Sequence, residues 1–126
     1  MIQLYGIKNC DSVRKARKFF ASHHIAYTFI DFRETPVTQQ QIDRWLESVT
    51  VDALFNHRST TYRNLKLKEK QLSDNEKRLW LAKENMLIKR PVAIFEKEVI
   101  IGYNESHYHL FLEKERGTAE GAQEGK

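Results

Sequence analysis

Cys10 is the residue in this chain best suited to chemistry, and it is the only cysteine. It lies in the stretch Ile2-Gln3-Leu4-Tyr5-Gly6-Ile7-Lys8-Asn9-Cys10-Asp11-Ser12, where a short apolar strand runs into a loop and a helix begins at once. A thiol at such a turn faces outward-pointing backbone N–H groups and the positive end of a helix dipole, and both favour the thiolate. That would make Cys10 a nucleophile toward oxidised sulfur or an oxyanion. The same side chain could equally be a small buried hydrophobe, the usual fate of a lone free cysteine. A second candidate is Lys89-Arg90-Pro91, directly before an apolar run. The residue before a proline is pushed toward extended geometry, and an arginine there can grip a carboxylate or oxyanion with two parallel bonds. The alternative is an edge-strand proline beside a solvated arginine. A third is Arg58, with His57 before it and Thr60, Thr61 and Arg63 after it. A loop rich in guanidinium and hydroxyl groups suits an anionic group or a tripeptide backbone, although it could also be a plain polar loop. His23-His24 and His107 with His109 do not share helix faces, so no metal site is expected from them.

The elements that must position these residues can be read in order. Ile2 to Ile7 alternates as a strand does. A helix is expected from about Ser12 to Ser22, with Asp11 and Ser12 as capping types. Val13, Ala16, Phe19 and Phe20 form its apolar face, and Arg14, Lys15, Arg17 and Lys18 its basic one. Ile25 to Phe32 reads as a second strand, so the first 32 residues or so form a βαβ unit with parallel strands. Thr35-Pro36 interrupts the chain. Thr38, with Gln41 three residues on, has the capping-box pattern for a helix whose inner face is Ile42, Trp45, Leu46 and Val49. A helical turn over Asp52 to Phe55 leads to the basic polar loop Asn56 to Arg63. Leu65 to Leu72 is charged and amphipathic. Ser73 and Glu76 begin another helix, expected to pack through Leu79, Trp80, Ala82, Lys83 and Met86. Trp45 and Trp80 fit core packing rather than a cofactor site. Val92-Ala93-Ile94-Phe95 and Val99-Ile100-Ile101 form a hairpin across Glu96-Lys97-Glu98. After Gly102, a last helix with Ser106 as its cap would pack through Tyr108, Leu110, Phe111 and Leu112. The order is β-α-β, an all-helical segment, then β-β-α. That is an α/β, thioredoxin-like fold on a mixed four-stranded sheet, with a helical insertion at about residues 38–88. We expect one domain over residues 1–115 and a small, polar, disordered tail over 116–126.

Composition narrows the setting. A single cysteine excludes an internal disulfide and a cysteine-based zinc site, and it suits a reducing cytoplasm. No apolar run approaches the roughly 20 residues of a bilayer span, and the N-terminus lacks the pattern of a secretory signal. The net charge of +4 comes without blocks of like charge, so neither direct nucleic-acid binding nor a membrane surface is expected. We expect a monomer acting on a small anionic or disulfide substrate.

The chemistry has one further constraint. Thioredoxins place a resolving cysteine three positions after the first, and Val13 occupies that place here. A mixed disulfide on Cys10 would need an outside thiol for its release, and glutathione is the abundant cytoplasmic candidate.

Taken together, the runs Leu4 to Asp11, Asn56-His57-Arg58 with Thr60 to Arg63, and Ile88-Lys89-Arg90-Pro91 resemble the ArsC/Spx family, most closely its YffB-type branch. The likeness extends to about Glu115. It implies a thioredoxin-like fold, a bacterial cytoplasmic protein, Cys10 as the catalytic nucleophile, and Pro91 as a cis proline facing it. In the arsenate reductases of the family, three arginines bind the oxyanion and glutathione and glutaredoxin complete turnover. Arg58 falls at the first of these positions and Arg90 at the second. The third lies just past the last strand, where this chain has Gly102-Tyr103-Asn104. The YffB-type branch lacks the same arginine and is described as a glutathione-dependent thiol reductase. The resemblance therefore implies glutathione as co-substrate, held with the substrate by Lys8, Asn9, Arg58, Arg90 and Pro91, and no metal. Its Spx branch implies a second reading, a transcription regulator that binds the C-terminal domain of the RNA polymerase α subunit. The Cys-x-x-Cys switch of that branch is removed here by Val13. Arsenate reduction is the third.

Overall fold

The computed structural model describes residues 2–113. Four strands, β1 (Ile2–Gly6), β2 (Tyr27–Asp31), β3 (Val92–Phe95) and β4 (Glu98–Ile101), form one sheet in the order β2-β1-β3-β4. β1 runs parallel to β2 and antiparallel to β3, and β3 and β4 make the hairpin. The mixed sheet and the β-α-β, helical, β-β-α order are those expected. The expected tail lies outside the described residues.

The period-two alternation of β1 divides the interior. Ile2 and Leu4 face α1 (Asp11–Ser22) and the last helix, residues 105–113, where Phe19, Phe20, Tyr108 and Phe111 are buried. Tyr5 and Ile7 face the other core, filled by α2 (Gln39–Trp45), α3 (Val51–Leu54) and α5 (Asp74–Lys83). Trp45 packs edge-on to Tyr5 in that core, with ring centroids 4.9 Å apart. The apolar face of α1 is the expected one. Both capping boxes form: Thr38 with Gln41, and Ser73 with Glu76.

Several local expectations need correction. α1 starts at Asp11, and its N-cap is Cys10 itself, because Cys10 is extended (φ −134°, ψ 124°) while its carbonyl already accepts the Arg14 N–H at 2.9 Å. The polar loop at 56–63 is helical in its second half. Ser59 caps α4 (Thr60–Asn64) by accepting the Tyr62 N–H at 3.0 Å. On α5, Leu81 is the fully buried residue, whereas Leu79 is exposed and Trp80 is only half-buried, covered by Lys83 and Lys70. Trp80, Ala82 and Met86 still pack against the core, as expected. Asn104, not Ser106, caps the last helix, with its Oδ1 accepting the His107 N–H at 3.1 Å.

Gly6 explains how α1 sits so close to the end of β1. A Cβ there would lie 2.6 Å from Val13 Cγ2. Gly6→Ala should therefore destabilise the fold by about 1–3 kcal/mol through overpacking, seen as a lower urea midpoint at unchanged slope. A midpoint equal to wild type would show that α1 shifts freely. Tyr108 is a different case. It is fully buried among Phe19, Phe20 and Tyr103, and burial raises its phenol pKa well above normal. Its hydroxyl has no hydrogen-bond partner among the described residues. Tyr108→Phe should be neutral or stabilising by up to about 1 kcal/mol, since a buried unmade bond is removed. A thermal melt that drops by several degrees would contradict this.

Candidate active site

β1 and β3 are antiparallel neighbours, with Tyr5 opposite Val92. The C-terminal end of β1, which leads to Cys10, therefore lies beside the N-terminal end of β3, which follows Lys89-Arg90-Pro91. Two separate sequence motifs meet at one end of the sheet for this reason. The Arg90–Pro91 peptide is cis, as the architecture implies. The Pro91 carbonyl accepts the Gly102 N–H at 2.7 Å, so the start of the last crossover is tied to the same place.

Cys10 is half-buried and packs against the core that contains Tyr5, Ile7 and Trp45. Its side chain makes no capping hydrogen bond, so the sulfur stands free at the N-terminus of a 12-residue helix. The first-turn N–H groups there have no intrahelical acceptors and carry the positive end of the dipole. The only acidic side chain in that turn, Asp11, is paired with Arg14. Val13, in the place where a resolving thiol would stand, is fully buried against Gly6.

The loop carrying Cys10 is anchored by Asp31, which sequence reasoning missed. This carboxylate ends β2 directly opposite Gly6 and is 6% exposed. It accepts the Lys8 N–H at 3.3 Å and the Arg33 N–H at 2.9 Å. Only the parallel register brings Asp31 to the loop, so no local pattern marks it.

The other expected residues are placed unequally. The Lys8 ammonium turns away to pair with Glu34 at 3.1 Å. Asn9 is exposed, and its side chain makes no hydrogen bond among the described residues. Arg90 does not bond Cys10. Its Nη1 donates to the Met86 carbonyl at 3.2 Å, while its Nε and Nη2 have no partner among the described residues. Met86 packs on the same core as Cys10, which keeps Arg90 on that side of the sheet. Arg58 is exposed, with its backbone N–H held by Asn56 Oδ1 at 3.0 Å. Its neighbour across the chain is Lys89, the second residue that sequence reasoning missed. Arg58, Lys89, Asn56 and His57 line a cavity of about 370 Å³. The signal for Lys89 was present in the run Ile88-Lys89-Arg90-Pro91, where a buried Ile88 turns the next side chain outward.

A half-buried thiol at a helix N-terminus, beside a cis proline on a mixed sheet ordered β2-β1-β3-β4, defines a thioredoxin-like protein with one cysteine in its site. More narrowly, residues 5–111 match the ArsC family, and the chain belongs to that family. It is 39% identical over 109 residues to an uncharacterized protein of Haemophilus influenzae, covering 86% of this chain and 96% of that one. It is 30% identical over 115 residues to the global transcriptional regulator Spx 1 of Bacillus cereus, covering 89% of this chain and 87% of that one. Among solved structures, the YFFB (PA3664) protein superposes with a TM-score of 0.81 at 27% identity, covering 87% of this chain and 97% of that one.

Proposed function

We propose that this chain is a glutathione-dependent thiol oxidoreductase whose single nucleophile is Cys10. The Cys10 thiolate attacks one sulfur of a substrate mixed disulfide with glutathione. The S–S bond breaks, the substrate leaves as a thiolate that takes a proton from solvent, and a Cys10–glutathione disulfide forms. A second glutathione thiolate attacks the glutathione sulfur of that adduct, giving glutathione disulfide and the free Cys10 thiolate. Over the two steps the incoming glutathione thiol is oxidised to the disulfide level and the substrate sulfur is reduced to the thiol, while the transferred glutathionyl sulfur and Cys10 are unchanged in net oxidation state. The observation that carries this reading is the Cys10 side chain, without a capping bond at the start of α1, with the buried apolar Val13 three residues on, which leaves no internal thiol to resolve the adduct. The site needs no metal for these steps. A cytoplasmic setting supplies the reducing thiol pool.

Arsenate is a poorer fit. The position of the third oxyanion-binding arginine holds Gly102, whose φ of 78° favours glycine, followed by Tyr103 and Asn104. The regulatory reading is favoured by the similarity to Spx 1. It predicts a complex with the polymerase α C-terminal domain that survives Cys10→Ser. The proposed activity is tested by following glutathione disulfide production from a glutathionylated peptide with glutathione reductase and NADPH. Turnover that saturates in glutathione is expected. No rate above the uncatalysed exchange would sink the enzymatic reading.

A further inference from the structure

Glutathione carries two carboxylates and one ammonium at neutral pH, so a protein that selects it needs a cationic anchor apart from the reacting thiol. We infer that this anchor is the cavity between Arg58 and Lys89, and that Lys89 is a specificity-determining residue for the charged thiol. The inference rests on the glutathione-dependent reading above and assigns it a subsite.

Four observations converge on Lys89. First, the cavity is built by backbone pairing rather than by a flexible loop. The Asn56 N–H donates to the Leu87 carbonyl at 2.7 Å, and the Lys89 N–H donates to the Leu54 carbonyl at 2.9 Å, on either side of the Phe55–Ile88 bridge. Second, its lining is two cations, an imidazole and an amide, with no carboxylate. Because Asn56 Oδ1 accepts the Arg58 N–H, the Asn56 Nδ2 donors remain for a ligand. Third, of the other cations expected here, Lys8 is paired with Glu34, and Arg90 is held through Nη1 by the Met86 carbonyl outside this cavity's lining. Arg58 and Lys89 form no ion pair among the described residues. Fourth, Lys89 stands two residues before cis Pro91, at the end of the sheet that carries the Cys10 loop.

A carboxylate entering the cavity would accept two parallel bonds from the Arg58 guanidinium and one from the Lys89 ammonium. One acid, Asp52, is close enough to feel the lining charges and works against it. Asp52 feels an attraction from both His57 and Lys89, although its main partner is Lys77 at 2.6 Å, which holds its carboxyl below the usual range. Removing the Asp52 charge should therefore strengthen the site.

The test compares kcat/KM with glutathione as resolving thiol against kcat/KM with neutral β-mercaptoethanol, taken as a ratio within each variant. Lys89→Gln should lower the ratio about tenfold, the loss of one charge-assisted bond, through KM for glutathione. Lys89→Arg should restore most of it, and Asp52→Asn should raise it about twofold. A ratio unchanged in Lys89→Gln, or one lowered equally in Lys89→Arg, overturns the inference and leaves the thiol chemistry standing. Wild type that turns over with neither thiol overturns both.

Discussion

Replacing Cys10 by serine should abolish glutathione-dependent turnover, with a loss of at least about 10³-fold in kcat/KM. The loss should be near-complete because no second cysteine exists to take over the attack. A hydroxyl remains protonated at neutral pH and does not displace sulfur from a disulfide. The variant is also clean. Cys10 is the N-cap of α1 and makes no capping bond, whereas serine is among the best N-caps and can accept a first-turn N–H. Cys10→Ser should therefore melt at or slightly above the wild-type temperature while losing its activity. Retention of more than a few per cent of turnover would mean that the chemistry lies elsewhere. If the polymerase complex is the physiological role, the same variant should still form it.

The second large effect is expected at Asp31, which touches no substrate. Asp31→Ala strips the acceptor from the Lys8 and Arg33 N–H groups in a site that is 6% exposed. Leaving such donors unpaired costs about 2–3 kcal/mol. The Lys8 anchor is the one nearest to Cys10 on the loop, so the thiol should also lose its fixed position at the helix terminus. A fall of roughly tenfold in the Cys10 alkylation rate, measured under conditions where the variant is fully folded, is the signature of positioning rather than of bulk stability. Asp31→Asn can keep its one acceptor oxygen toward the Lys8 N–H while its Nδ2 faces the Arg33 N–H, so it should recover most of the alkylation rate but only part of the stability. Equal damage in Asn and Ala would point to the charge instead of the hydrogen bonds.

Much of this architecture is legible in the chain because it is written locally. Alternation marks β1, a three-to-four-residue apolar spacing marks α1, and the pairs Thr38 with Gln41 and Ser73 with Glu76 mark two helix starts that form as read. Cys10 and Pro91 are legible for the same reason, each being a rare residue at a boundary between elements. Asp31 is not, because its role depends on which residue of β1 it faces. Lys89 is half-legible: its neighbours stand out, but its own role depends on a bridge between residues more than 30 apart in the chain. The inner face of α5 is legible in part: Trp80 and Ala82, with Met86 beyond the helix, pack on the core as their spacing suggests, but Leu79 and Leu81 are both apolar and only packing against α2 and α3 selects Leu81. The direction of the Arg90 guanidinium is likewise a tertiary outcome, fixed by the Met86 carbonyl.

The central claim is that Cys10 carries the sulfur and glutathione removes it. Intact-mass spectrometry of the protein, mixed with a glutathionylated peptide in the absence of free glutathione, tests this most directly. One glutathionyl unit should appear on Cys10 in step with release of the reduced peptide, and it should disappear when glutathione is added, with glutathione disulfide formed in equal amount. Release of reduced peptide with no adduct on Cys10, or an adduct that glutathione leaves in place, would contradict the account.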